Sequence, residues 1–153
     1  VAESFRGVAH RLEMIRTLHG VTYCNDSIAS SPTRTIAGLH ALRQKPILIA
    51  GGYDKHIPFD KLGDEICRHV KALFLTGFTA EKIYDAVTKS SLYDPKALPI
   101  RKIDDFREAV LAAAASAEEG DLVLLSPACA SFDHFKNFVE RGETFRSIVN
   151  ELK

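Results

Sequence analysis

Three short stretches carry residue types that bind and orient polar ligands: Asn25-Asp26-Ser27 running on to Ser30-Ser31, then Gly51-Gly52-Tyr53-Asp54-Lys55, then Ser126-Pro127-Ala128-Cys129-Ala130-Ser131. In the first, the Asp26 carboxylate and the Ser27 hydroxyl suit a ribose hydroxyl, or they tie down an Asx-type turn. In the second, paired glycines free the backbone for a tight turn or for close approach of a ligand, and Lys55 brings a cation to the same place. A structural turn beside a solvated lysine explains those residues as well. In the third, Ser131 stands where a helix is expected to begin. Its hydroxyl and the free amides after it would hold a carboxylate, or the serine is a plain N-cap. Arg11, next to His10, has the reach for a phosphate, with a surface cation beside Glu13 as the ordinary alternative.

Other chemistries find little footing. Six histidines, at positions 10, 19, 40, 56, 69 and 134, form no HxH or HExxH arrangement, so no metal ligands are expected. Cys24, Cys67 and Cys129 are odd in number and lack CxxC spacing, which argues against a disulfide framework or a zinc site and fits a reducing cytoplasm. Cys129 near a helix start has no named base beside it and reads as a small buried residue. Ser126 and Ser131 lack the GxSxG elbow. Nucleophilic catalysis is therefore not expected, and no residue is assigned a catalytic role. The sequence also has no GxxxxGK[ST] loop for a triphosphate and no GxGxxG for a dinucleotide. If the chain serves a nucleotide enzyme, the phosphate loop lies elsewhere.

The elements that must position these stretches can be read from the hydrophobic pattern. Leu12, Met14 and Leu18, then His19-Gly20, then Val21-Thr22-Tyr23-Cys24 predict a hairpin with a tight turn. Ser31 as a cap and Pro32 at the first helical position, with Ile36, Leu39 and Leu42 at helical spacing, predict a helix over 32–42. Short apolar runs at 47–50, 72–75 and 122–125 predict buried strands, and 98–103 a further one. Helices are expected over 60–70, after a Thr79 cap, from an Asp104 or Asp105 cap to 117, and from about Phe132 onward, where most of Phe132, Phe135, Phe138, Phe145, Ile148, Val149 and Leu152 would face the core. Buried strands alternating with helices imply an open, mainly parallel, Rossmann-like α/β sheet with helices on both faces and an N-terminal β-hairpin. In such sheets ligands bind beyond the carboxyl ends of the strands, where all three polar stretches fall.

Composition is consistent with this picture. The 153 residues suit one domain, and 46% hydrophobic with 26% charged residues is an ordinary globular balance. Twenty basic residues match twenty acidic ones, so no net field attracts nucleic acid or an anionic membrane. No apolar run approaches the roughly 20 residues that span a bilayer. The opening Val-Ala-Glu-Ser-Phe-Arg-Gly lacks the features of a secretory signal and an initiating Met, which leads us to expect a cut within a longer chain.

Taken together, His10-Arg11-Leu12-Glu13, Asn25-Asp26-Ser27, Gly51-Gly52-Tyr53-Asp54-Lys55 and Leu125-Ser126-Pro127-Ala128-Cys129-Ala130-Ser131-Phe132-Asp133 resemble the Mur ligase family in order and spacing. The continuation through Phe135-Lys136-Asn137-Phe138 to Glu140-Arg141-Gly142 looks like its D-glutamate-adding branch. The resemblance spans nearly the whole chain, and this last stretch is its most specific part. It implies a three-domain cytoplasmic ligase of peptidoglycan precursor synthesis, and hence of the cell wall, cell shape and cell division, in which residues 1–153 form the C-terminal domain. The first domain would bind the UDP-sugar, and the central one would carry the phosphate loop and the ligands for Mg2+.

In that family ATP phosphorylates the substrate carboxylate, here that of UDP-N-acetylmuramoyl-L-alanine, and the amine of D-glutamate attacks the acyl phosphate. Such chemistry rests on positioning and charge neutralisation, and so on both walls of a closed cleft. The resemblance carries Arg11 to the nucleotide phosphates and Asp26 to its ribose, and it places Ser30, Lys55, Ser131, Phe132 and Phe138 around the D-glutamate. Some members have a lysine after the Asp-Ser pair and a threonine two residues on, where this chain has Ile28 and Ser30. Ser30 keeps a hydroxyl, but Ile28 holds no anion. Either Lys55 or another cation compensates, or the site is arranged differently. A related ligase of the folylpolyglutamate type and a stand-alone small-acid or nucleotide-binding module are the other readings. The Ser-Pro-Ala-Cys-Ala-Ser to Glu-Arg-Gly stretch disfavours both.

Overall fold

The computed structural model describes residues 8–132 and 134–153. The opening Val-Ala-Glu-Ser-Phe-Arg-Gly and Asp133 lie outside the described residues. The elements run β1 (Glu13–Leu18), β2 (Val21–Asn25), α1 (Pro32–Ala41), β3 (Ile47–Ala50), α2 (Asp60–His69), β4 (Ala72–Leu75), α3 (Ala80–Thr88), β5 (Ile100–Lys102), α4 (Phe106–Ser116), β6 (Leu122–Leu125) and α5 (Phe138–Glu151).

The strands form one sheet in the order β1-β2-β6-β3-β4-β5. Only the hairpin pair β1-β2 is antiparallel; the four other pairings are parallel. His19 and Gly20 both adopt positive φ (52° and 79°), the geometry a two-residue hairpin turn demands. The expected hairpin and mainly parallel sheet are thus present.

Strand alternation divides the core in two. Cys24, Leu48, Ala50, Leu73, Leu75, Leu122 and Leu124 face one side, where Leu39 of α1, Leu62 and Ile66 of α2, and Ile83 and Val87 of α3 cover them. Val21, Tyr23, Ile47, Ile49, Phe74, Val123 and Leu125 face the other side, under Phe106 and Val110 of α4 and Phe145, Ile148 and Val149 of α5. Right-handed crossovers explain the split. Connections stepping from β2 across to β5 place their helices on one face, and the return from β5 to β6 places α4 on the other. α5 is held at its carboxyl end by Arg16 of β1, whose Nη1 donates to the carbonyls of Val149, Asn150 and Leu152 at 3.0 to 3.3 Å.

Three sequence expectations need correction. The last helix starts at Phe138 rather than near Phe132, because Asn137 is its cap, accepting from the Glu140 amide at 2.9 Å. Ser131 closes only a single turn, its carbonyl accepting from the amides of His134 and Phe135. Ser31 and Thr79 precede helices without giving a side-chain cap. Thr79 Oγ1 instead accepts the Gly52 amide at 2.9 Å. Asp105, by contrast, caps α4 through the Glu108 amide.

Candidate functional site

β2 hands the chain to α1 on one face, while its neighbour β6 hands it to α5 on the other. A crevice therefore opens beyond their carboxyl ends. The three polar stretches meet there, and hydrogen bonds stitch them together. The Gly51 amide donates to the Pro127 carbonyl and the Tyr53 amide to the Ala130 carbonyl, both at 2.9 Å. A Cβ on Gly51 would lie 1.9 Å from the Thr76 carbonyl oxygen, and one on Gly52 2.6 Å from that of Ala130. The glycines thus serve a close crossing of backbones.

Asp26 sits at the centre of one half of the crevice. Its Oδ1 accepts the Leu12 amide at 3.1 Å and its Oδ2 the Ser126 hydroxyl at 2.8 Å. Ser126 Oγ also lies 3.0 Å from Thr35 Oγ1, which donates to the Ser126 carbonyl. Burial pushes the Asp26 carboxyl up to about 6, against the downward pull of these two donors and of Arg11 and Arg34. The Asx-type turn belongs to Asn25 instead, whose Oδ1 accepts the Ser27 amide. Arg11, Leu12, Asp26, Ile28, Ala29, Arg34, Ala37 and Gly38 line a recess of about 230 Å³.

Arg11 lies two residues before β1. Glu13, its supposed neighbour in charge, pairs instead with Arg146 at 2.7 Å. Burial raises the Glu13 carboxyl, but hydrogen bonds from Arg146, the His10 amide and Asn25, together with the Arg146 charge, hold it below its ordinary value. Arg11 and Arg34 therefore flank Asp26 with two guanidinium groups on one recess. That composition fits the outer side of a nucleotide: cations for phosphate oxygens and a carboxylate for a hydroxyl.

The other half of the crevice is organised by Arg141 of α5, which sequence reasoning quoted but assigned no role. It is buried. Its Nη1 donates to the Cys129 carbonyl at 2.8 Å, Nη2 to the Ser27 carbonyl at 2.7 Å, and Nε to Ser27 Oγ at 3.0 Å. Ser30 Oγ lies 3.4 Å from Nη2. One guanidinium thus ties the exits of β2 and β6 to α5. Ser27 Oγ donates in turn to the Phe138 carbonyl at 2.7 Å.

Ser131 is buried, while Phe132 stands 65% exposed with its ring edge-on to Tyr53, 5.9 Å between centroids. Lys55 is exposed two residues beyond Tyr53. Among the described residues it has neither a hydrogen bond nor an ion pair. Its neighbour Asp54 is occupied by Lys82. Phe138 has a different setting, its ring half-buried and edge-on to His10 at 6.0 Å. Cys129 is buried with its Sγ 3.2 Å from Thr79 Oγ1, as expected of a packed residue. The structure therefore gathers Arg11 with Asp26, Ser30 with Arg141 and Phe132 with Tyr53, while Lys55 stands exposed two residues along the chain from Tyr53.

Residues 10–129 match the family described as Mur ligase, glutamate ligase domain. The chain is similar to the UDP-N-acetylmuramoylalanine--D-glutamate ligase of Clostridium novyi, 55% identical over 152 residues that cover 99% of this chain and 33% of that protein. Its likeness to the ligase of the same name from Acetivibrio thermocellus is 53% over 155 residues, covering 100% of this chain and 33% of that protein. The chain thus spans about a third of the length of these curated relatives. Among solved structures, the bifunctional folylpolyglutamate synthase/dihydrofolate synthase from Yersinia pestis matches with a TM-score of 0.65 at 12% identity, over 94% of this chain and 32% of that one. A murein peptide ligase from Psychrobacter arcticus matches with a TM-score of 0.62 at 12% identity, over 98% and 32%. At such identities these two likenesses bear on the fold alone.

Proposed function

The chain belongs to the Mur ligase family, and from that premise we propose that residues 1–153 are the C-terminal domain of a three-domain ligase that uses ATP to join D-glutamate to UDP-N-acetylmuramoyl-L-alanine in peptidoglycan precursor synthesis. The observation that carries this reading is 55% identity, over 99% of the chain, to a ligase of that name. The fold alone fits folylpolyglutamate synthase equally well. No helix among the described residues is long and apolar enough to cross a membrane, which accords with a cytoplasmic reaction.

ATP supplies the phosphoryl group that activates the carboxylate, and its phosphate loop and Mg2+ ligands belong to the central domain in this reading. This chain supplies the opposite wall. Arg11 faces the nucleotide phosphates, and Asp26 accepts from a ribose hydroxyl with the lone pairs left after Leu12 and Ser126. Arg34, on the same recess as Ile28, is the cation that offsets the isoleucine. For D-glutamate, the exposed Lys55 ammonium, without an ion pair among the described residues, receives a carboxylate, and Ser30, Ser131 and Phe132 line the approach. Phe138 backs the same loops through Ser27. Arg141 touches no substrate here; it positions the loops that do.

The test is ADP release by the complete protein supplied with ATP, UDP-N-acetylmuramoyl-L-alanine and, separately, D-glutamate, L-glutamate or a diamino acid. Turnover that depends on D-glutamate is expected, with none from the isolated 153-residue chain. Turnover with L-glutamate on a folate acceptor would move the chain to the folylpolyglutamate type. Ligation by the isolated chain would show that the other walls are dispensable.

A further inference from the structure

Away from the strand exits, α1 and α2 lie side by side on one face of the sheet. Among the described residues, one group of three side chains with metal-ligating chemistry has its donor atoms within 4.8 Å of one another: His40 of α1 with Glu65 and His69 of α2. We propose that these three residues bind a divalent transition metal of the zinc class, clipping α1 to α2, a role independent of the ligase reading above.

The geometry is specific. Glu65 Oε2 lies 3.3 Å from His40 Nε2 and 3.1 Å from His69 Nε2. Bonds of about 2.0 to 2.1 Å in a tetrahedral zinc site place neighbouring donors about 3.3 Å apart, so both nitrogen-to-oxygen edges are already near the required length. Glu65 Oε2 is shut off from solvent and has no hydrogen-bond partner among the described residues, although two ring nitrogens crowd it. A buried carboxylate oxygen left without a partner is costly, and a cation at the meeting point of the three donors would satisfy all of them together.

The surroundings leave that point available. Arg68 approaches the other oxygen, Oε1, at 3.6 Å, and so does not compete for Oε2. Glu65 and His69 are four residues apart, which places them on the same face of α2. The two rings stand 5.0 Å apart at 65°. The side chains of His40 and His69 are 52% and 38% exposed, which gives an entry path and room for a water as fourth ligand. Two imidazoles and one carboxylate suit zinc or its neighbours better than Mg2+ or Ca2+, which prefer all-oxygen sites. Sequence spacing could not reveal the group because its members come from two helices.

The test titrates ZnCl2 into chelator-treated protein against a chromophoric chelator, with CoCl2 in parallel, followed by visible absorption. One equivalent should bind, with cobalt bands of a four-coordinate nitrogen-oxygen site. Affinity should fall by about 10-fold or more in His69→Ala, His40→Gln and Glu65→Gln. The His19→Asn variant, altered at an exposed turn, should keep the native constant. Saturating zinc should raise the native Tm and leave that of His69→Ala unmoved, and the metal-free Tm values report whether each variant folds. The proposal is overturned if no stoichiometric binding occurs, if folded site variants bind as tightly as the native chain, or if His19→Asn weakens binding as much as His69→Ala. A thiolate-to-cobalt absorption band would also overturn it, by assigning the metal to a cysteine.

Discussion

Asp26 shows how one side chain gains its properties from partners far along the chain. Burial raises its carboxyl from 3.8 to about 6, so the folded chain holds that proton more tightly than the unfolded one. Its stabilising share is complete below about 3.8 and is lost as pH climbs through about 6, where the buried group must carry charge. In Asp26→Asn the amide keeps an acceptor for the Leu12 amide and offers a donor to Ser126 Oγ, whose own proton can turn to Thr35. Calorimetry from pH 4 to 8 should show the native Tm falling relative to that of the variant between about 4 and about 6; a constant difference would refute the raised carboxyl. Lys55 is the other residue to test, in the full-length enzyme. Lys55→Ala should raise KM for D-glutamate or lower kcat by about 10-fold or more, the scale of a lost charged hydrogen bond. Unchanged kinetics would remove Lys55 from the site. Lys55 and Asp26 stood out as candidates because they stand among small polar residues at strand ends, but local pattern fitted a plain turn as well, and their roles came from the family resemblance. Arg141 left a fainter signal, in that it shares the buried helical phase of Phe145 and Ile148, where an arginine needs partners. Those partners, Ser27 and Cys129, could not be read from local pattern.

At the scale of elements, strands buried on both faces were the clearest feature, since their runs of four apolar residues admit few other readings. The loops were harder. Ser131 and Asn137 are both sound caps by residue type, and the cap is Asn137, whose Oδ1 accepts the Glu140 amide while the Glu140 carboxylate reaches back to the Lys136 amide. Residues 126–131 meanwhile are held against the β3 exit by backbone bonds. The Gly51-Gly52 turn was legible as a turn, but its reason was not: the glycines admit the backbone of a neighbouring loop. Gly51→Ala should cost about 3 kcal/mol or more, lowering Tm by roughly 6 to 12 °C, because its Cβ would meet the Thr76 carbonyl. Gly120→Ala is the control. That residue also has positive φ, but a Cβ there meets nothing within 4 Å, so its loss should be clearly smaller. Equal losses in thermal melts would mean that the close crossing does not limit residue 51.

At the scale of the whole molecule, the two core clusters lie back to back on one six-stranded sheet. Neither can lose its helices without exposing strands that the other also needs, so the chain should unfold in a single transition. Urea curves followed by far-UV circular dichroism and by tyrosine fluorescence should coincide, Tyr23 reporting on one cluster and Tyr84 and Tyr93 on the other. Separate midpoints would show that the clusters melt independently. By itself the sequence determined the fold class, the hairpin, the helix and strand order and the three strand-exit loops, because alternation and turn chemistry are local properties of the chain. It also carried the family, in motifs whose order survives without any contact being known. Only the tertiary structure decided that Arg141 ties those loops together, that Arg34 joins Arg11 beside Asp26, and that His40 meets Glu65 and His69. Each depends on side chains from different elements converging at one point, and that convergence is set by sheet order and crossover handedness rather than by spacing along the chain.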